Sequence, residues 1–243
     1  MRRSIWIALL AVAGFAVIVL TRLPASWLVP RAAAANCASV DGTLWSGACS
    51  GLSVQRVPLG DLSWDLEPAR LLAGTLAAHI VLAHGTLAAH ADVTLGLDGA
   101  LTVRNLLADV PLDPALLPQL PRQLHGRAHA ELALARIEHG TLTEIQGRIE
   151  AHDLEERTVR VTPLGNYAVT FPGGSGEPTG KVQDLGGPLA VEGTLRLTRA
   201  RGYVLEGEVA ARPGAPPELA ANLAYLGSPD ALGRRPFSMA GTL

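Results

Sequence analysis

From Cys37 onward the chain alternates apolar and polar residues with a period of two. In LAAHIVLAHGTLAAHADVTLGL, residues 76–97, Leu76, Ala78, Ile80 and Leu82 share one parity. In RAHAELALAR, residues 127–136, Ala128, Ala130, Leu132 and Leu134 oppose Arg127, His129 and Glu131. In residues 188–212, Leu189, Val191, Leu195 and Leu197 oppose Glu192, Thr194, Arg196 and Thr198. A period of two belongs to antiparallel strands with one wet face, so the pattern predicts a mostly β domain built from an antiparallel, curved sheet, open or half-barrel-like.

Three stretches depart from that pattern. WDLEPARLLAG, residues 64–74, reads as a helical turn between strands, with Pro68 early in the helix and Gly74 at its exit. Residues 109–124 carry four prolines, DVPLDPALLPQLPRQL, and read as a linker or crossing loop with one short helix. They divide the sheet into two segments, of one continuous sheet rather than two domains. Residues 171–188, FPGGSGEPTGKVQDLGGP, read as a long mobile loop.

The tripeptide Gly-Thr-Leu punctuates the pattern at Gly42, Gly74, Gly85, Gly140, Gly193 and Gly241. Gly supplies a turn or bend, Thr a wet-face position and Leu a core position, so the repeat reads as strand entry rather than as the lining of a site.

The N-terminus follows another rule. Residues 4–20, SIWIALLAVAGFAVIVL, are 17 residues without a charge, preceded by Arg2 and Arg3. As a helix they span about 26 Å, close to the hydrocarbon thickness of a bilayer. The only small-residue cleavage pattern, Ala33-Ala34-Ala35, lies far beyond the apolar run, which favours an uncleaved anchor over a signal peptide. The residues before Cys37 do not suit lipidation. The organisation expected is a cytoplasmic tip and transmembrane helix over residues 1–22, a tether over 23–36 and a periplasmic β-rich domain over 37–243. Trp27 suits the membrane interface of that tether, and the basic residues before the run place the N-terminus in the cytoplasm.

Composition narrows function mainly by exclusion. A net charge of -2, spread evenly, gives no electrostatic footprint for nucleic acid. Aromatics are only 4 %, while 26 Gly and 17 Pro suit many short elements joined by turns. The only two cysteines, Cys37 and Cys49, flank the first Gly-Thr-Leu. In an oxidising compartment they favour a disulfide that restrains the unfolded chain by roughly 3 kcal/mol, with two unpaired small hydrophobes as the alternative. GSGEPTGKV, residues 174–182, fails as a phosphate loop, because Ser175 stands at a required Gly and Val182 where Ser or Thr would hold magnesium. His79, His84 and His90 lie five and six apart, which scatters them over strand faces. His125 and His129 would stand roughly 13 Å apart on a strand. No metal ligands, cofactor site or catalytic residues are expected.

The chain resembles the type II secretion system protein N family along nearly its whole length. The residues that carry the resemblance are VDGTLWSGACSGL, LSWDLEPARLLAGTL, LGNYAVTF, DLGGPLAVEGTLRL, GYVLEGEVAAR and the terminal ELAANLAYLGSPDALGRRPFSMAGTL. Leu226, Gly227, Asp230, Gly233, Arg234, Pro236 and Phe237 are its most specific part. The resemblance implies a non-catalytic accessory component, anchored in the inner membrane by one span. Its periplasmic domain would contact the secretin or the inner-membrane platform, by an exposed sheet edge or by residues 171–188. A looser likeness to AsmA-like membrane-anchored β proteins implies the alternative, an envelope protein that binds or handles phospholipid on an apolar sheet face.

Overall fold

The fold is described from a computed structural model covering residues 22–27, 35–54, 57–114, 116–117, 120–174, 176–198 and 202–242. Alternation resolves into strands wherever it is legible. The first half contributes β1 (Ala35–Asn36), β2 (Ser39–Gly42), β3 (Ser46–Val54), β4 (Val57–Leu66), β5 (Thr75–Ala83), β6 (Ala88–Gly96) and β7 (Leu101–Leu112). The second half contributes β8 (Leu124–Glu138), β9 (Thr141–Arg157), β10 (Val161–Pro172), β11 (Thr179–Gly186), β12 (Leu189–Thr198), β13 (Gly202–Ala211) and β14 (Arg235–Thr242). Two short helices, α1 (Pro68–Leu71) and α2 (Pro217–Asn222), sit at strand connections.

All the strands join one 14-stranded antiparallel sheet in chain order, except that β1 and β2 share the outer edge of β3. Among the described residues β14 pairs only with β13, so the sheet is open. Register sorts the two faces cleanly. From β4 to β14 one cross-strand row runs Leu62, Leu82, Ala89, Ala108, Ala130, Ile149, Val169, Val182, Gly193, Gly207 and Phe237. It contains no polar side chain. From β7 to β13 a row of the opposite face runs Asp109, His129, Glu150, Ala168, Gln183, Glu192 and Glu208. Facing residues of antiparallel strands lie on the same side, so the first row runs along a mainly apolar face and the second along a charged one.

The best-packed part of the apolar face is centred on Leu132, Ala135, Ile145 and Phe171, with Val103, Leu106, Leu142, Ile149, Val169, Leu195 and Leu197 against them. Phe171 is only 3 % exposed although no second layer covers it among the described residues. Gly180 on β11 explains this, because a Cβ there would stand 2.7 Å from both the Phe171 ring and Val169 Cγ1. With no side chain in the way, the β10 ring lies across β11 toward Leu195 and Leu197 of β12. The facing glycines 193 and 207 extend the effect, since a Cβ on Gly207 would stand 2.2 Å from the Glu192 carbonyl oxygen. Two bare positions opposite each other let β12 and β13 approach more closely than side chains allow.

Several sequence expectations need correction. Residues 171–188 are not one long loop: Phe171 and Pro172 end β10, and Thr179–Gly186 is β11. Only residues 173–178 connect them, because Gly180 and Val182 belong to the apolar face and draw the segment into the sheet. Residues 109–112 continue β7, and the short helix expected within 109–124 does not form among the described residues there, which make turns. β7 and β8 pair directly across this connection, so the sheet runs through it unbroken. The helical turn expected over 64–74 contracts to Pro68–Leu71, residues 64–66 being strand, and Gly74 leaves it with φ +73°.

Gly-Thr-Leu marks strand entry at Gly74 and Gly140 only. His139 and Gly140, both with positive φ, form the two-residue turn of the β8–β9 hairpin. At Gly85 the strand begins three residues later, Gly42 closes β2 rather than opening a strand, and Gly193 and Gly241 lie inside strands. The transmembrane helix expected over residues 4–20 lies outside the described residues. Among the described ones no helix is long and apolar enough to cross a membrane.

Candidate binding faces

On the apolar face the row residues are mostly half-buried, because neither α1 nor α2 buries a residue against them. One ion pair interrupts this face. Asp184 follows Gly180 and Val182 in the same parity of β11 and faces Tyr167 of β10. It accepts from the Val191 amide at 3.1 Å, the Gly186 amide at 3.2 Å and an Arg212 guanidinium nitrogen at 2.5 Å. Arg212 also donates to the Gly187 carbonyl at 3.2 Å, so the pair ties the β11–β12 turn to the end of β13. Burial works to raise the Asp184 carboxyl, but the Val191 amide and Arg212 outweigh it and hold it below the ordinary value. Tyr167 donates to the Leu164 carbonyl at 2.6 Å, and burial, with Asp184 nearby, pushes its phenol up.

The opposite face carries hydrogen-bonded pairs of polar and ionisable groups. His79 Nδ1 stands 2.8 Å from Asp92 Oδ1, and Asn105 donates to the other carboxylate oxygen at 2.8 Å. Asn105 reaches it from a bulge with φ +50°. The hydrogen bond with His79 and then that from Asn105 hold the Asp92 carboxyl below its usual value. His129 Nδ1 lies 2.8 Å from Asp109 Oδ1, which raises the imidazole. Glu150 accepts from Arg148 at 2.5 Å and sits 2.8 Å from His152 Nε2, and these two neighbours, in that order, lower it. These groups remain substantially solvated. They make ion pairs rather than a nucleophile and base converging on one point, and among the described residues no group of three or more His, Cys, Asp or Glu is placed to hold a metal.

At the N-terminal edge the structure joins Cys37 to Cys49, with Cα atoms 5.5 Å apart. Cys49 is 1 % exposed and faces Val40 on one side and Leu62 on the other. The bridge pins the start of the sheet to the interior of β3. Trp64 Nε1 donates to the Leu44 carbonyl at 3.0 Å, fixing the 43–45 turn over β4. Of the residues singled out from sequence, the cysteines are brought together, while the seven histidines stay dispersed. The Asp184–Arg212 pair was missed, and its signal, a carboxylate in an apolar parity, is visible only once β11 is known to be a strand.

An open sheet, apolar on one face and charged on the other, fixed at its first edge by a disulfide, is the frame in which the sequence similarity falls. Residues 33–238 match the family model described as type II secretion system (T2SS), protein N. The chain belongs to this family. The type II secretion system protein N of Vibrio cholerae serotype O1 (strain ATCC 39315 / El Tor Inaba N16961) is 29 % identical over 213 residues, covering 84 % of this chain and 83 % of that one. The protein of the same name from Aeromonas hydrophila is 24 % identical over 255 residues, covering 100 % of each. No solved structure matches the chain. Membership makes it a type II secretion component, and the match begins just before the first strand and ends within the last.

Proposed function

We propose that this type II secretion component is a non-catalytic accessory protein, anchored in the inner membrane by residues 4–20, whose β domain stands in the periplasm and works by offering surface rather than chemistry. The uninterrupted apolar row from Leu62 to Phe237 carries this reading. A half-buried face of this extent in an aqueous compartment is stabilised by whatever covers it, at roughly 25 cal/mol per Å² of apolar area. Its mainly aliphatic lining, interrupted by few polar groups, suits acyl chains, so the face holds phospholipid during the secretion cycle. Native mass spectrometry of the full chain, extracted in mild detergent, tests this. Bound phospholipid is expected, and an Ile149→Glu variant should lose most of it. A wild-type chain without lipid would remove the proposal.

A second reading rests on the outer edge of β14, which has no strand partner among the described residues. A free edge accepts an extended segment by strand addition, and the secretin or an inner-membrane platform protein is the partner this family's role suggests. Photo-crosslinking from Ser238 at native expression should trap one of these proteins. Capture from Val159, in the β9–β10 connection, but not from Ser238 would refute the edge as the contact.

A further inference from the structure

We infer that one end of the sheet is a membrane seat, in which Leu71, Leu72, Leu76, Leu95 and Leu97 enter the acyl region of a lipid bilayer. The inference concerns how the domain sits on the membrane and holds whether or not its apolar face carries lipid.

The leucines form one patch by topology. Leu71 ends α1 and Leu72 follows it, Leu76 is the second residue of β5, Leu95 lies near the end of β6, and Leu97 begins the next turn. Leu76 and Leu95 face each other directly across the β5–β6 ladder. A Cβ on Gly74 would stand 3.0 Å from Leu97 Cδ1, so the turns before β5 and after β6 touch. Leu72 is 94 % exposed and Leu97 91 % exposed, with Leu71, Leu76 and Leu95 also among the exposed large apolar residues. Clustered wetted leucines of this kind mark an interaction surface, whereas a single one needs no explanation.

The chain's own connection identifies the partner as a bilayer. The Leu44 amide donates to the Leu23 carbonyl at 2.9 Å, and Pro24 forms a bridge with Thr43. The 3₁₀ turn Ala25–Trp27 then lies against β2, with Ala25 buried. Residues 22–27 therefore dock on the 43–45 turn, at the same end of the sheet as the leucines. β3, which leaves that turn, is three strand spacings from β6, roughly 14 Å. Between Leu20, the last residue of the uncharged apolar run, and the docked Leu23 the chain spans at most about 10 Å. A span through residues 4–20 thus delivers the leucine patch to the membrane surface.

Charge distinguishes the two ends. Beside the patch Arg70 and Glu67 neutralise each other at 3.1 Å, and Asp98 is occupied by the Ala100 amide at 3.0 Å. At the other end the exposed Val159 stands between Arg157 and Arg160, which pair with Glu155 and Glu218. Exposed Leu232 there lies between Asp230 and Arg234. At the leucine end the exposed apolar side chains gather into one patch, whereas Val159 and Leu232 each stand alone between charged residues. Because Leu76 and Leu95 also belong to the apolar face, that face begins at the bilayer and its strands rise from it.

The test uses the full chain in liposomes of phosphatidylethanolamine and phosphatidylglycerol, with p-benzoylphenylalanine placed at Leu72, Leu97 or Val159. After irradiation, mass spectrometry should find lipid adducts at positions 72 and 97 at least tenfold above position 159. Adducts at background at 72 and 97, equal yield at 159, or a chain that stays out of the liposomes would overturn the seat. The wild-type chain with a diazirine acyl-chain phospholipid repeats the test without substitution. Labelled peptides must then include Leu71 to Leu76 or Leu95 to Leu97. Label confined to residues 4–20 and to the Val169 and Phe171 peptide overturns the seat while leaving lipid on the apolar face intact.

Discussion

Gly180→Ala is the smallest change that tests how the apolar face is packed. Its backbone does not require glycine, since Gly180 is not among the positive-φ residues, so only space opposes the new methyl. That Cβ would stand 2.7 Å from Phe171 Cε1 and Val169 Cγ1 and 2.9 Å from Phe171 Cδ1. The ring cannot yield easily, because at 3 % exposure it is hemmed in by the buried centre of the face. Overpacking costs about 1–3 kcal/mol, and replacing glycine within a strand returns about 0.5–1 kcal/mol. The net loss is about 0.5–2 kcal/mol, or roughly 1–8 °C in Tm for a chain of this size. Thermal unfolding of the full chain in detergent micelles measures it. Phe171→Leu supplies the control: with the ring gone only Val169 still opposes the methyl, so most of the loss should disappear, giving a coupling of about 0.5–2 kcal/mol between the two sites. A Gly180→Ala variant that melts higher than wild type, or loses as much in the Phe171→Leu background, would show that the ring does not cross β11.

Replacing the bridge with Cys37→Ser and Cys49→Ala should lower stability by roughly 3 kcal/mol, the alanine avoiding a buried hydroxyl at the fully buried position. An unchanged Tm under oxidising conditions would mean that the bridge restrains nothing. Arg212→Met leaves the Asp184 carboxylate without its cation and should cost about 1–2 kcal/mol, the guanidinium being partly open to water. Because the folded Asp184 carboxyl lies below its ordinary value of 3.8, its stabilisation is present above that value and lost as pH falls through the folded one. Asp184→Asn should therefore flatten the fall in Tm from pH 4 to pH 2, and an unchanged slope would refute its role. His129 is raised above 6.5, so its contribution is complete below 6.5 and disappears as pH rises through the folded value. An NMR titration should place its midpoint above 6.5 and return it toward 6.5 in Asp109→Asn; a midpoint unmoved by that substitution contradicts the pairing.

The sheet was legible in the sequence where parity runs long enough to count. Leu76, Ala78, Ile80 and Leu82 on β5, and Leu195 and Leu197 on β12, occupy the face that alternation assigns them. Leu134 departs from its parity because the bulge between Leu132 and Leu134 carries it to the other face, opposite Gln146. β11 was hidden for another reason. Its apolar parity reads Gly180, Val182 and Asp184, and glycine contributes no hydropathy although its bareness seats Phe171. Density of glycine and proline around residues 171–188 marks loops on average, but here it includes a glycine that a neighbouring ring requires. The exposed leucine patch was invisible for a simpler reason: Leu71, Leu72 and Leu97 are unremarkable until β5 and β6 pair and bring their turns together.

Both faces of the sheet follow from the absence of a second layer among the described residues. In a sandwich or closed barrel the apolar parity would disappear from solvent, and large aromatics would help to fill the space between layers. Here the row passes through Ala89, Ala108, Ala130, Gly193 and Gly207, small positions that bring adjacent strands into close register without filling any volume above them. Leucine, isoleucine and valine between them leave shallow aliphatic relief rather than a sealed core. The charged face needs no partner, since His79, His129 and His152 each pair with a carboxylate and remain wet. The asymmetry therefore lies in what each face lacks: the charged side is complete in water, whereas the apolar side gains stability from each contact that removes it from water. A protein that folds around such a face has its stability linked to the occupant, and by that linkage a ligand present at a hundred times its Kd stabilises the fold by about 2.7 kcal/mol.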